Sequence, residues 1–258
     1  MFIDSHCHLN FPEFQKDFDS VLKLMTDNQV SHALCISVNL RDFPEVLAIA
    51  EKNSNIFASV GIHPDYENEN PFTVEELVTL ADHPKIIAIG ETGLDYFRLT
   101  GDLEWQRQRF RKHIQSAIES NRPLVIHTRS SAEDTLKIMR EEQASKVGGV
   151  MHCFTESMDV ALQAIDLGFY ISFSGIVTFK NAIQLKEVAK QVPINRILIE
   201  TDSPYLAPVP FRGKTNQPAY VRHVAQALAD LRGISLEEVA NNTTKNFFEL
   251  FKLAVPCK

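Results

Sequence analysis

Cysteine is scarce. Cys7, Cys35, Cys153 and Cys257 are the only four in 258 residues, and no Cys-x-x-Cys pair occurs. That excludes a disulfide framework, a zinc ribbon and a dithiol redox site, so the four read as reduced thiols. No apolar run approaches the roughly 18 residues that a membrane span needs. The opening Met1-Phe2-Ile3-Asp4 lacks the basic segment and long apolar stretch of a secretory leader. A cytoplasmic address with no membrane partner is therefore expected. Positive charge is also short: 26 Lys and Arg stand against 33 Asp and Glu, a net charge of −7. A broad basic face for coating duplex DNA is excluded, which leaves only a few local cations to grip phosphates. Ten glycines and twelve prolines rule out fibrous and low-complexity classes. No repeat or composition break divides the chain, so residues 1–258 read as one domain, and no obligate protein partner is evident.

Short apolar runs alternate with helix-period segments. Eight runs read as strands buried on both faces: Phe2–His8, Ala33–Val38, Ile56–His63, Ile86–Glu91, Leu124–His127, Val150–Phe154, Phe169–Phe173 and Ile197–Asp202. Between them, Phe18, Val21, Leu22 and Met25 fall at helical spacing. So do Phe110, Ile114, Ala117 and Ile118 on a segment opened by Asp102, and Val221, Val224, Ala225 and Leu228. Trp105 on the second of these segments is expected in the core. Ser235-Leu236-Glu237-Glu238 has capping-box spacing and predicts a further helix through about Leu250. Eight βα units in about 250 residues predict a (β/α)8 TIM barrel with an extra C-terminal helix, and a doubly wound open sheet is the competing architecture. The proline-rich stretch from Ser203 to Pro218 reads as a functional loop.

Metal-ligand residue types collect where these runs end. In His6-Cys7-His8, strand alternation sends both imidazoles to one face and the thiol to the other. Glu91 closes an apolar run, where an ionised carboxylate is costly unless paired or bound to a cation. His127, His152 and Asp202 end or follow three more runs. Each alone reads first as a polar strand-end residue satisfied by a backbone cap. Together they place four imidazoles and two carboxylates at the C-terminal mouth of a barrel, the face where barrel active sites sit. Six donors exceed one tetrahedral ion but suit two divalent ions about 3.5–4 Å apart, sharing a bridging carboxylate. Imidazole-rich sites suit Zn, Mn, Fe or Co better than Mg, and availability can override that preference, so the identity of the ion stays open.

Other residues fill out a substrate pocket. His63, in Gly61-Ile62-His63-Pro64, suits a hydrogen bond to a phosphate or leaving group, or an ordinary turn. Arg129, Arg212 and Lys214 are placed to clamp a phosphodiester, or to sit as solvated loop charges. Tyr96, Phe97 and Tyr205 offer rings for unpaired bases, or for lid packing.

The ordered set Asp4-Ser5-His6-Cys7-His8, Gly61-Ile62-His63-Pro64, Gly90-Glu91-Thr92-Gly93-Leu94-Asp95, His127-Thr128-Arg129, His152-Cys153-Phe154, Glu200-Thr201-Asp202-Ser203-Pro204 and Arg212-Gly213-Lys214-x-Asn216 resembles the TatD family of metal-dependent deoxyribonucleases across nearly the whole chain. The resemblance implies that His6, His8, Glu91 and Asp202 hold one divalent ion. Glu91 would then bridge to a second ion held by His127 and His152. It also implies hydrolysis of DNA, single-stranded or at its ends, in the manner of a 3′–5′ exonuclease. Removal of D-amino acids from transfer RNA, an ester hydrolysis by the same kind of site, is the alternative. Two cations activating water need no covalent intermediate, and Asp202 is the candidate to orient that water and take its proton, with Glu91 beside it.

Overall fold

The computed structural model describes residues 1–67 and 71–255; Cys257 lies outside them. Each apolar run becomes a parallel strand because both its faces are covered. The strands are β1 (Phe2–Cys7), β2 (Val30–Cys35), β3 (Ile56–Val60), β4 (Ile86–Asp95), β5 (Leu124–Arg129), β6 (Gly149–Met151), β7 (Phe169–Phe173) and β8 (Ile197–Ile199). They pair strictly in chain order. The seam between the ends is stitched at the mouth: Cys7 bridges Ser203 in parallel, His8 N–H donates to Ser203 O at 2.9 Å, and Asp202 N–H donates to His6 O at 2.9 Å. A doubly wound sheet would leave these edges apart, so the eight strands form a TIM barrel.

Among the described residues the helices are α1 (Pro12–Gln15), α2 (Phe18–Asp27), α3 (Phe43–Lys52), α4 (Val74–Ala81), α5 (Glu104–Ser120), α6 (Ala132–Glu141), α7 (Met158–Asp166), α8 (Ile183–Gln191), α9 (Val221–Arg232) and α10 (Leu236–Leu250). None is long and apolar enough to cross a membrane. Strand residues sort into two layers. One packs with the helices, among them Met25, Phe110, Ile114 and Leu228. The other joins Ile3, Leu34, Phe57, Val125, Val150 and Leu198 with Phe247 of α10 and Phe251 just beyond its end, so the extra helix closes the floor of the barrel interior. The Ser235 hydroxyl accepts from Glu238 N–H at 3.0 Å and starts that helix.

Several strand ends differ from the sequence reading. β2 begins at Val30 and stops at Cys35, β3 stops at Val60, β6 at Met151 and β8 at Ile199, because the chain beyond them leaves the ladder to build the mouth. β4 runs on to Asp95 because Thr92–Asp95 pair with Ile126–Arg129 of β5. That close pairing explains Gly93. Its φ is +136°, and a Cβ there would sit 1.9 Å from His127 O. Trp105 corrects an expectation. It is half-buried, with the Arg109 guanidinium 4.8 Å over its ring, and the next residue, Gln106, takes the buried position.

Strand alternation is also interrupted. Phe2 and Cys7 lie an odd number of positions apart, yet both pack in the helix-facing layer. The β1–β2 register shifts between Asp4 and Cys7, and this bulge reverses the phase and turns His6 and His8 inward.

A buried histidine of α5 gives the fold an acid weakness. His113 accepts Ile62 N–H at Nε2 (3.1 Å) and faces Arg109 O at Nδ1 (2.9 Å). Burial pushes its pKa down to about 3. The unfolded chain takes up this proton near pH 6.5 and the folded chain does not, so the contribution is complete above about 6.5 and is lost as pH falls toward 3. The slope is about 1.4 kcal/mol per pH unit for one such proton. His113→Gln, which keeps an acceptor for Ile62, should lower this acid sensitivity by about that slope in urea titrations between pH 6.5 and 4. An unchanged slope would remove His113 as its source.

Candidate metal centre

Glu91 is the centre of the mouth. It is 3% exposed, and its two oxygens look in different directions. Oε2 lies 3.4 Å from His6 Nε2. Oε1 lies 2.7 Å from His152 Nε2, 3.1 Å from His127 Nδ1 and 3.4 Å from His63 Nε2. On the first side, Asp202 Oδ1 lies 3.5 Å from His6 Nε2 and 3.3 Å from His8 Nε2. Burial alone would push the Glu91 carboxyl up. His152, His63 and His127 outweigh it and hold the group well below the usual carboxylate range. Asp202 is likewise pushed up by burial and drawn down further by His8 and His6. Both are ionised at neutral pH.

The imidazoles are aimed rather than merely gathered. His152 Nδ1 faces Glu200 Oε1 at 3.2 Å, and its Nε2 points into the site. His127 Nε2 faces Asp95 Oδ2 at 3.0 Å, and its Nδ1 points at Glu91. His8 Nδ1 faces Ile36 O at 3.4 Å, and its Nε2 points at Asp202. Tying one ring nitrogen to an outer acceptor while freeing the other is how ligand histidines are held. His6 goes further: both its ring nitrogens are buried with no hydrogen-bond partner among the described residues. His152 Nε2 is close to Glu91 but off the hydrogen-bonding direction, so it too is unsatisfied. Buried polar atoms rarely stay unpaired, and nitrogen lone pairs converging with carboxylates are satisfied by a cation.

Among the described residues, three donor sets have all their ligand atoms within 4.8 Å of one another: His6, His152 and Asp202; His6, His8 and Glu91; and His63, Glu91 and His127. The residues fit a divalent-metal site, and Glu91 belongs to a set on each side. Protonation would compete with metal. Burial lowers the His6 pKa and His152 lowers it further, the two rings being stacked at 3.8 Å. For His152, burial is overcome by Glu91 and Glu200, which raise it well above the ordinary value.

The profile of the TatD related DNase family matches residues 3–252. The chain belongs to this family. It is 46% identical over 254 residues to the metal-dependent hydrolase YcfH of Escherichia coli K12, covering 97% of this chain and 96% of that protein. It is 31% identical to the 3′-5′ ssDNA/RNA exonuclease TatD of Shigella flexneri, over 97% of this chain and 99% of that one. The crystal structure of YJJV, a TatD homolog from Escherichia coli, superposes with a TM-score of 0.91 at 28% identity, covering 97% and 98% of the two chains. The TatD-family chain is therefore a metal-dependent hydrolase.

The mouth of this TatD-family barrel is a cleft of about 800 Å³, lined by His8, His63, Glu91, His127, His152 and Asp202 together with Arg98, Arg129, Phe11 and Tyr205. His63 comes into the donor cluster, beside His127. Arg129 lines the cleft with its guanidinium 3.8 Å over the Phe97 ring. Arg212 and Lys214 are exposed and do not line it: Arg212 stacks on Phe179 at 3.7 Å and donates to Ala207 O. Tyr96 is engaged elsewhere, donating to Asp134 at 2.7 Å. Phe97 (62% exposed) and Tyr205 (55%) present rings at the rim.

Sequence reasoning passed over Arg98, Asp95, Glu200 and Asp4. Glu200 lies in an apolar run, and the desolvation argument applied to Glu91 would have found it. Asp4 is fully buried and its carboxyl is pushed well up, by burial first, while it accepts from Thr201 N–H at 2.9 Å. Replacing His6 by alanine should lower the divalent-ion content measured by plasma emission after purification without chelator. Unchanged content in a folded variant would strike His6 from the ligand set.

Proposed function

We propose that this chain is a two-metal phosphodiesterase of deoxyribonuclease type, shortening single-stranded nucleic acid from a 3′ end. One observation carries the reading: Glu91 stands between two sets of ring nitrogens, some with no hydrogen-bond partner among the described residues, as a carboxylate shared by two divalent ions would. His6, His8 and Asp202 would hold one ion, and His127 and His152, with His63 beside them, the other. Ions held there supply Lewis-acid charge to phosphoryl oxygens and lower the pKa of water.

The protein's own groups do the rest. Asp202, ionised and 16% exposed at the side chain, lines the cleft and accepts the proton of the attacking water. Arg98 and Arg129 neutralise phosphate charge at the rim of an otherwise acidic mouth. Phe97 and Tyr205 take unpaired bases, which a duplex would keep stacked away from them. The net charge of −7 confines the strand to this local grip. The single-strand exonuclease among the relatives supports the substrate class.

Metal-loaded protein should shorten a 5′-labelled single-stranded oligonucleotide stepwise from its 3′ end, while released amino acid from a D-aminoacyl-tRNA with no shortening would overturn the reading. Asp202→Asn should cut kcat by about two to four orders of magnitude with the fold kept, when turnover is measured at saturating divalent ion. Near-normal turnover of a fully loaded variant would take Asp202 out of the proton-accepting role.

A further inference from the structure

Asp95 lies at the end of β4, 1% exposed, and uses both oxygens. Oδ2 meets His127 Nε2 at 3.0 Å. Oδ1 accepts Phe97 N–H at 2.8 Å and Arg98 N–H at 3.1 Å. Its own N–H donates to the buried Gln106 Oε1 at 2.9 Å, so α5 fixes the carboxylate from behind. One side chain thus touches the imidazole that faces Glu91 and His63, and also the start of the loop that carries the rim ring and a rim cation.

We propose that Asp95 is a positioning residue: it sets the tautomer of His127 and fastens that choice to the loop bearing Phe97 and Arg98. The proposal rests on the metal-centre reading above. An ionised carboxylate only accepts hydrogen bonds, so once a cation occupies the side facing Glu91 the single proton of neutral His127 is held on Nε2 by Asp95. Nδ1 then carries its lone pair toward Glu91 Oε1 (3.1 Å) and the His63–Glu91–His127 donor set, where a cation can use it. A carbonyl or water at the position of Oδ2 would accept the same proton less strongly. An amide nitrogen there would reverse the ring.

Asp95→Asn is therefore the informative variant. Its remaining oxygen still caps Phe97 and Arg98, and its NH2 group requires His127 Nε2 as acceptor, which moves the ring proton to Nδ1. Calorimetric titration of the metal-free protein with Mn²⁺ should show one ion weakened by roughly 10–100-fold and the other within about two-fold. With a single-stranded oligonucleotide, kcat should fall while KM holds, whereas Asp95→Ala, which also frees the loop, should raise KM as well. Wild-type affinity for both ions in Asp95→Asn overturns the proposal while leaving the proposed function standing. A wild-type chain that binds no divalent ion overturns both. If the variant does not fold, ¹⁵N spectra of the zinc-loaded wild type decide the matter: His127 protonated at Nε2 supports the proposal, and an Nε2 without a proton refutes it.

Discussion

A carboxylate buried at the mouth of the barrel governs the rest of the structure. Glu91 follows a fully apolar stretch of β4 and has almost no water. Ionised without compensation, it would cost several kcal/mol. The protein compensates with imidazoles, which are weak partners because each must be protonated to carry charge. Asp202, Asp95 and Glu200 add further acids within hydrogen-bonding or ion-pairing reach of the same rings. The acids outnumber any permanent cation inside the cluster, since Arg98 and Arg129 lie toward the rim. A pocket built this way is most stable when positive charge arrives from outside, which is the physical content of metal dependence.

The barrel seam and the site are the same set of contacts. β1 and β8 meet through His8, Ser203, Asp202 and His6 main-chain groups, and beneath them Asp4 accepts from Thr201 and from His6 N–H. Closing the fold therefore sets the His6–Asp202 separation. The cost shows in the backbone: Asp202 and Cys153, beside His152, adopt left-handed φ values of 56° and 43°. Such conformations cost on the order of 1–2 kcal/mol each for residues with a Cβ. They turn Asp202 and His152 back over the mouth just where the chain leaves the ladder.

Much of this was legible in the sequence, and the reasons differ by feature. The eight apolar runs announced their strands because a parallel sheet buried on both faces leaves an unbroken hydrophobic signature. The ligand-type residues announced themselves because polar groups at the ends of such runs need partners. Simple alternation puts His6 and His8 on one face, and the structure brings them together through a bulge that no pattern of residue types displays. Arg212 and Lys214 follow Asp202 within a dozen residues, yet the loop folds back so that Arg212 lies on Phe179. Distance along an irregular loop carries no direction. Trp105 missed the core by one position, because α5 turns Gln106 inward to hold the Asp95 and Pro64 main chain.

The outer carboxylates show why a donor set alone underdescribes this centre. His152 and His127 each have an acid behind them, Glu200 and Asp95, whereas His8 has only the Ile36 carbonyl and His6 has nothing. An imidazole backed by a carboxylate is more basic, and binds a cation more firmly, than one backed by a carbonyl. The two halves of the mouth are thus unequal even though both draw on Glu91. The half with His127 and His152 is built to retain its charge. The half with His6 and His8 leans on Asp202, the one carboxylate of the cluster with appreciable exposure. The half with the weaker backing therefore sits next to the more exposed of the two central carboxylates.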